Sequence, residues 1–260
     1  MSRPPRDERT GLSVTVLGCS GTYAGPGGAC SGYLFRTATT NLWVDCGPGS
    51  LANVQEHIAL TELDGMVVTH SHPDHWGELP VLVNALRYGV GAPDLGVPLL
   101  WTARNAELMA AVGPAELAPT FLPRVIDEHT TASVGDIDLR FSRTDHPVET
   151  LAVRADHGPW SIAYTADTGD AWRLGSLGPD IDLALVEASL DEEDAGRVQH
   201  LTGGEAGRQA AEAEVDTLLL THLMPGSDPA ARREVAARSY DGPIGVAAIN
   251  RTYTAGGPPT

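Results

Sequence analysis

The stretch His70-Ser71-His72-Pro73-Asp74-His75 constrains this chain more than any other feature. Three histidines and an aspartate fall within six residues, directly after an apolar β-type run over residues 66–69. Imidazole nitrogen and carboxylate oxygen are the ligands a borderline cation such as zinc prefers. At a strand end the side-chain period of two puts positions 70 and 72 on one side. Pro73 forces a bend, so Asp74 and His75 can face a second metal.

The rest of the chain supplies partners. Of nine histidines, six stand in suggestive places: His70, His72, His75, His146, His200 and His222. His146 follows a predicted strand over 137–141, Asp167 ends one over 161–165, and His222 ends one over 217–221. Ligands carried on the ends of several strands converge on one edge of a sheet sandwich. Further strands are predicted over 12–17, 33–36, 41–45, 98–101, 151–154, 183–187 and 244–248. Helices are predicted over 50–60, capped by Ser50, and over 78–88, 103–112, 204–213 and 229–237. Strand-rich halves, each decorated with helices, imply an α/β protein built in layers. One domain over 11–254 is expected, between a polar tail (1–10) and a short C-terminal tail (255–260).

Composition removes whole classes. Seventeen positive residues face 34 acidic ones, a net charge of −17, and every positive residue is Arg. Without lysine there is no Schiff-base chemistry and no P-loop. So acidic a surface repels nucleic-acid backbones and anionic lipid. No apolar run approaches the roughly 18 residues of a membrane span, and residues 1–10 lack a signal peptide's apolar core. Cys19, Cys30 and Cys46 form no CxxC pair and read as reduced thiols, which places the protein in the cytoplasm.

HxHxDH followed by His146, Asp167 and His222 resembles the metallo-β-lactamase superfamily. The likeness runs from Leu17-Gly18-Cys19-Ser20-Gly21 to Leu220-Thr221-His222. Within the superfamily the chain looks most like the branch of tRNase Z and the cyclic-nucleotide phosphodiesterases. Asp45-Cys46-Gly47, Glu187-Ala188-Ser189, and His200-Leu201-Thr202 ahead of Gln209-Ala210-Ala211 carry that similarity. The His-Leu-Thr-Gly-Gly-Glu-Ala-Gly stretch is most similar to mycobacterial-type cyclic-nucleotide phosphodiesterases.

The resemblance implies a single-domain αββα sandwich with two divalent metal ions, zinc first and manganese or iron as alternatives. It puts His70, His72 and His146 on one ion and Asp74, His75 and His222 on the other, with Asp167 bridging. Such a pair, roughly 3.5–4 Å apart, shares a hydroxide nucleophile and neutralises a phosphoryl oxygen. Asp74 and His200 are then the candidate catalytic residues, with His200 the proton donor to the leaving oxygen. Asp45 is either the acceptor for a ligand histidine's free N–H or a strand-end turn residue. Glu187 either hydrogen-bonds near His200 or caps its strand. The Gly-rich loop from Gly18 to Gly32 shapes the rim of the cleft.

Family tRNases Z grip tRNA with a long arm, commonly between the equivalents of His146 and Asp167. Here that interval holds twenty residues, with Arg154 its obvious cation. Recognition of a large polyanion needs many phosphate contacts, so a small phosphodiester, a 3′,5′-cyclic nucleotide foremost, is the expected substrate and tRNA is not. The alternatives are an esterase, thioesterase or lactonase in a biosynthetic pathway, a tRNase Z-like endonuclease, or a scaffold without turnover. No ligand is missing, which disfavours the last. No membrane partner is expected, and the branch's habit of dimerising suggests a homodimer.

Overall fold

The computed structural model describes residues 11–112 and 117–259; the tail assigned to 1–10 and residue 260 lie outside them. Apolar side chains on both faces of most central strands dictate the layering, because a strand buried on both sides needs cover on both. In β1 (Ser13–Gly18), β2 (Gly32–Arg36) and β3 (Asn41–Cys46) the chain runs as an antiparallel meander. The strands β4 (Gly65–Val68), β5 (Val97–Trp101) and β6 (Phe121–Val125) then add in parallel. A second sheet repeats the plan. Its antiparallel part is β7 (Thr131–Val134), β8 (Ile137–Arg143), β9 (Leu151–His157) and β10 (Trp160–Tyr164). Its parallel part is β11 (Leu183–Glu187), β12 (Leu218–Thr221) and β13 (Ile244–Val246). The last strand, β14 (Thr252–Thr254), returns to pair with β1. The orders are β14-β1-β2-β3-β4-β5-β6 and β13-β12-β11-β10-β9-β8-β7.

Alternation along single strands sorts the core into layers. Leu42 and Val44 of β3 and Leu183 and Leu185 of β11 meet between the sheets. Trp43 of β3 turns the other way, against α1 (Ser50–Val54), α3 (Leu79–Asn84) and α4 (Ala103–Val112). Ala184 and Val186 of β11 pack outward against α5 (Gly203–Glu212) and α6 (Pro229–Ala236). The result is the αββα sandwich expected from the sequence. Among the described residues no helix is long and apolar enough to cross a membrane.

Several local expectations need correction. Three strands escape the sequence reading, β6, β7 and β14, and all three lie at sheet edges. Edge strands need only one buried face, so they tolerate Pro123 or polar residues that dilute the apolar signal. The helix expected over 50–60 stops at Val54, and a separate 3₁₀ turn covers Leu60–Glu62. Ser50 is not its side-chain cap; its hydroxyl donates to Gly47 O at 2.6 Å, and Glu78 accepts from Leu51 N at 2.5 Å. The helix over 78–88 is regular only to Asn84 and continues as a π-helical turn over Ala85–Gly89. In the C-terminal segment Ala255 is buried, its N–H donating to Leu12 O at 2.9 Å.

Candidate metal centre

Strands β3, β4, β8, β10, β11 and β12 all end at one edge of the sandwich, the edge where open α/β sheets place ligands. Three of them end through left-handed residues other than glycine: Asp45 (φ 57°), Ala166 (φ 50°) and His222 (φ 55°). Such conformations cost of order 1–3 kcal/mol each and persist where the surroundings over-determine them. Here each turns a polar side chain into the cleft or delivers the next residue, Asp167, to it.

The motif loop leaves β4 before its histidines begin, so His70 and His72 are held by side contacts and not by the ladder. Leu151 N donates to Thr69 O (3.1 Å), Asn105 Nδ2 to His70 O (2.9 Å) and Trp76 Nε1 to Ser71 O (3.0 Å). Pro73 then opens a one-turn helix, α2 (Pro73–Trp76), which carries Asp74 and His75 inward. The histidine rings crowd together, with centroids of His70 5.0 Å from His72, 4.0 Å from His75 and 5.3 Å from His146. His222 lies 5.2 Å from His75.

Hydrogen bonds at the back of each ring decide which nitrogen carries its proton. His75 Nδ1 donates to Asp45 Oδ2 at 2.7 Å, and a carboxylate can only accept. His146 Nδ1 donates to the Gln199 carbonyl at 3.1 Å. Thr69 spends its hydroxyl proton on Asp45 (2.9 Å), so His70 Nδ1 donates to Thr69 Oγ1 (3.1 Å). Ser189 likewise gives its proton to Glu187 Oε2 (2.7 Å) and accepts from His222 Nδ1 (2.9 Å). The Nε2 atoms of four histidines therefore point into one chamber. His75 Nε2 faces His222 Nε2 at 3.2 Å, and His146 Nε2 faces His72 Nδ1 at 3.1 Å.

That arrangement asks for cations. His70 Nε2 and Asp167 Oδ1 are buried without a hydrogen bond, a state that costs several kcal/mol unless something else engages them. The donor atoms fall into two sets, each spanning at most 4.8 Å: His70, His72, His146 and Asp167, and Asp74, His75 and His222. Three imidazoles and a carboxylate, or two and a carboxylate, are donor sets suited to a divalent ion. The buried carboxylates of Asp45, Asp74, Asp167 and Glu187 also call for more positive charge than imidazoles supply. The residues fit the group.

Protonation differs across the chamber. Burial pushes His70 and His72 down, and takes His146 down to about 4. Burial also works against charge on His75, but the Asp167 and Asp45 carboxylates overcome it and hold its pKa well above the usual value. A proton on His75 thus relieves the two facing lone pairs in the metal-free protein. Asp167 stays ionised despite burial because the surrounding imidazoles hold its carboxyl well below the usual range, and His222 and His75 do the same for Asp74.

His200, just ahead of the Thr202 cap of α5, sits 5.2 Å from His146 and 5.7 Å from His222 between ring centroids. Its Nδ1 donates to Glu187 Oε1 at 2.9 Å. Burial alone would lower its pKa, but the Glu187 bond and charge raise it to about 9. Asp45 thus stands behind His75, and Glu187 behind His200, each accepting a ring N–H. His200 also forms a third, overlapping set with Asp167 and His222. A cavity of about 520 Å³ adjoins the chamber, lined in part by Thr22, His72, His146, Leu190, His200 and Met224.

Thr69, Tyr164, Ser189 and Thr22 escape the sequence reading. Tyr164 Oη donates to Asp45 Oδ2 (3.1 Å) and Thr22 N to Asp74 Oδ2 (2.9 Å). A hydroxyl next to a motif histidine is the one available signal; of these four it marks Thr69, and it marks Ser71 equally. The Gly-rich loop does reach the rim through Thr22. A Cβ at Gly21 would stand 2.7 Å from His222 O, and one at Gly47 would stand 1.9 Å from Asp74 O. The other histidines stay apart: His57 bonds Asn250, His157 bonds Asp136 O, and His129 is exposed. The three cysteines are free thiols outside the chamber.

The beta-lactamase superfamily domain matches residues 40–223, more than half of the chain and all seven chamber residues. The chain belongs to that superfamily. Rv1339 of Mycobacterium tuberculosis, an uncharacterised protein, is 33% identical over 93% of this chain and 92% of its own. The probable metallo-hydrolase YhfI of Bacillus subtilis is 29% identical over 91% of this chain and 97% of its own. Its crystal structure superposes with a TM-score of 0.86 at 26% identity, covering 94% and 99%. Ribonuclease Z of Mycolicibacterium paratuberculosis is 28% identical over 90% and 94%. This is a metal-dependent hydrolase of the metallo-β-lactamase fold.

Proposed function

We propose that the chain hydrolyses a small phosphodiester, a 3′,5′-cyclic nucleotide foremost, with two divalent ions, zinc in the first instance. His70, His72 and His146 would hold one ion and Asp74, His75 and His222 the other, with Asp167 between them. Bound there, such ions supply an activated water and a Lewis acid for the phosphoryl oxygen.

The observation that carries the reading is the His200–Glu187 pair. The buried Glu187 fixes His200 Nδ1–H, which leaves Nε2 as the ring atom free to face the chamber. In the metal-free protein Glu187 raises the His200 pKa to about 9, which favours the protonated ring. It can then give a proton to the departing ester oxygen as the P–O bond to that oxygen breaks and a P–O bond to water oxygen forms. The proton that activation takes from the water would pass to solvent, and Asp74, whose carboxyl is held well below the usual range, would act by helping to hold an ion. An ester or thioester gains less from this donor when its leaving group is already a good one.

The small size of the substrate rests on the same interval that departs from tRNase Z. Residues 147–166 are spent mostly on the β9–β10 hairpin, whose two strands pair directly from Trp160 opposite His157, so no arm projects there. A relative named ribonuclease Z supports phosphodiester chemistry on this chamber. The test is a parallel screen of metal-quantified protein, reconstituted with Zn, Mn or Fe, on a cyclic nucleotide, bis(p-nitrophenyl) phosphate, an acyl thioester and a lactone. Turnover of the two phosphodiesters is expected. Turnover of the thioester or lactone alone would overturn the proposal.

A further inference from the structure

Two tyrosines lie beneath the chamber and take no part in the chemistry above. Tyr33 stands on β2 of the first sheet and Tyr164 on β10 of the second, and both are fully buried between the sheets. Facing sheets pack about 10 Å apart, and a tyrosine ring can cross such a gap while its hydroxyl finds a partner on the far side. Each of these does so. Tyr164 Oη donates to Asp45 Oδ2 at 3.1 Å, near the end of β3 in the first sheet. Tyr33 Oη and Thr221 Oγ1 share a hydrogen bond of 2.7 Å at the end of β12 in the second sheet. The two rings meet on the way, with centroids 4.6 Å apart.

We infer that Tyr33 and Tyr164 are positioning residues, a reciprocal brace between the sheets that sets the spacing of the ion site formed by Asp74, His75 and His222. The inference rests on the two-ion reading above and adds the residues that hold one of its sites in register. That site straddles the sheets: Asp74 and His75 follow β4 of the first, and His222 follows β12 of the second. Asp45, which backs His75, takes its other bonds from Thr69 N, Thr69 Oγ1 and His75 Nδ1, all on the first sheet's side, and Tyr164 ties it to the second. Thr221 directly precedes His222, and Leu223 beyond it donates its N–H to Cys19 O at 3.1 Å, so His222 is tied to the first sheet on both sides. Asp45 and His222 are also left-handed residues, at φ 57° and 55°, whose conformation needs such fixing. Apolar packing between the sheets is non-directional; the two hydroxyl bonds supply direction. Ligands fixed before an ion arrives lose less freedom on binding it, so the brace raises affinity for that ion without touching it.

Tyr33→Phe, Thr221→Val and Tyr164→Phe each remove a hydroxyl and leave the side chain's outline nearly unchanged. Metal-free full-length protein is titrated with cobalt(II) by calorimetry, and thermal unfolding is followed in the same preparations. His222→Ala, titrated alongside, identifies the step that belongs to this site. Tyr33→Phe and Thr221→Val should each weaken that step roughly three- to tenfold, the scale of one neutral hydrogen bond. Their double variant should lose no more than either, because both cut the same bond. Tyr164→Phe removes a donor to a carboxylate and should weaken the step about tenfold or more. In the Tyr33 and Thr221 variants the step of His70, His72 and His146 should stay within about twofold, as expected of a site that shares no partner with the cut bond. A lowered unfolding temperature with wild-type affinities would make the tyrosines packing residues only and overturn the brace, as would equal weakening of both steps or additive losses in the double variant. If Tyr164→Phe does not fold, the Tyr33 and Thr221 variants decide. Two ions in the wild type without a selective loss in the variants sinks the brace alone; a single ion in the wild type overturns the two-ion reading and the brace with it.

Discussion

The two halves of the chamber are built from the same residue types but backed differently. His146 leans on the neutral Gln199 carbonyl, and His70 leans on Asp45 only through the Thr69 hydroxyl. His75 leans on the buried Asp45 carboxylate, and His222 leans on Glu187 through Ser189. Asp74 adds a further carboxylate to that second half. A carboxylate behind an imidazole raises its basicity as a ligand. It also raises its hunger for a proton, which is why His75 is held as a cation in the metal-free protein while His146 drops to about 4. The second half should therefore bind a divalent ion more tightly, but only by surrendering a proton. The first half, whose imidazoles are pushed down by burial, should bind its ion less tightly and with less proton release.

Asp167 is where the halves meet, with Oδ2 3.5 Å from His70 Nε2 and Oδ1 3.2 Å from His75 Nε2. Asp167→Ala should break the comparison most severely, because both halves lose a shared anion and two cations are left repelling one another. Metal content should fall, and turnover should drop by at least about 10²–10³-fold, the scale of losing one transition-state-stabilising group. Wild-type-like turnover at matched metal content would refute the bridging role.

His200 belongs to neither half on this account, although it lies close enough to Asp167 and His222 to pass for a ligand. His200→Ala should keep both ions yet lose roughly 10²–10⁴-fold on a cyclic nucleotide. The loss should be clearly smaller on bis(p-nitrophenyl) phosphate, whose leaving group needs less protonation. Metal analysis alongside kinetics on both substrates checks this. Loss of an ion would make His200 a ligand, and equal kinetic losses would reduce it to a phosphate contact.

The difference in backing is itself open to substitution. Asp45→Asn keeps the shape but removes the charge behind His75, and should weaken the second half about 10–100-fold, the usual cost of losing such a partner. Thermal unfolding of the metal-free variant shows whether the fold survives. A variant that binds both ions as wild type does would show that the carboxylate contributes only to packing.

What could be read without coordinates follows the same divide. HxHxDH, His146, Asp167 and His222 announce themselves because few roles other than ligation gather histidine and aspartate at strand ends. The layers were legible because two-sided burial makes the central strands apolar throughout. Ser189 and Tyr164 carry no such mark: each is an ordinary strand or strand-end residue whose role exists only once β10, β11 and β12 lie beside β3 and the motif loop. For the same reason Glu187 stood undecided, since its two acceptors, Oε1 for His200 and Oε2 for Ser189, come from separate segments. Edge strands such as β6 stayed hidden because half of their surface answers to solvent.

The central claim is that the chamber holds two ions in halves of unequal proton demand. A titration of metal-free protein with cobalt(II), followed by calorimetry at several pH values between 6 and 8, tests it most directly. His75 is pushed above its usual pKa, so below that pKa a metal must displace a proton from it. The account predicts two ions per chain in two separable steps. The tighter step should release about one proton and weaken about tenfold per pH unit as pH falls. The other step should depend less on pH, because burial lowers the pKa values of His70, His72 and His146. One ion per chain, or two steps with the same pH dependence, would contradict it.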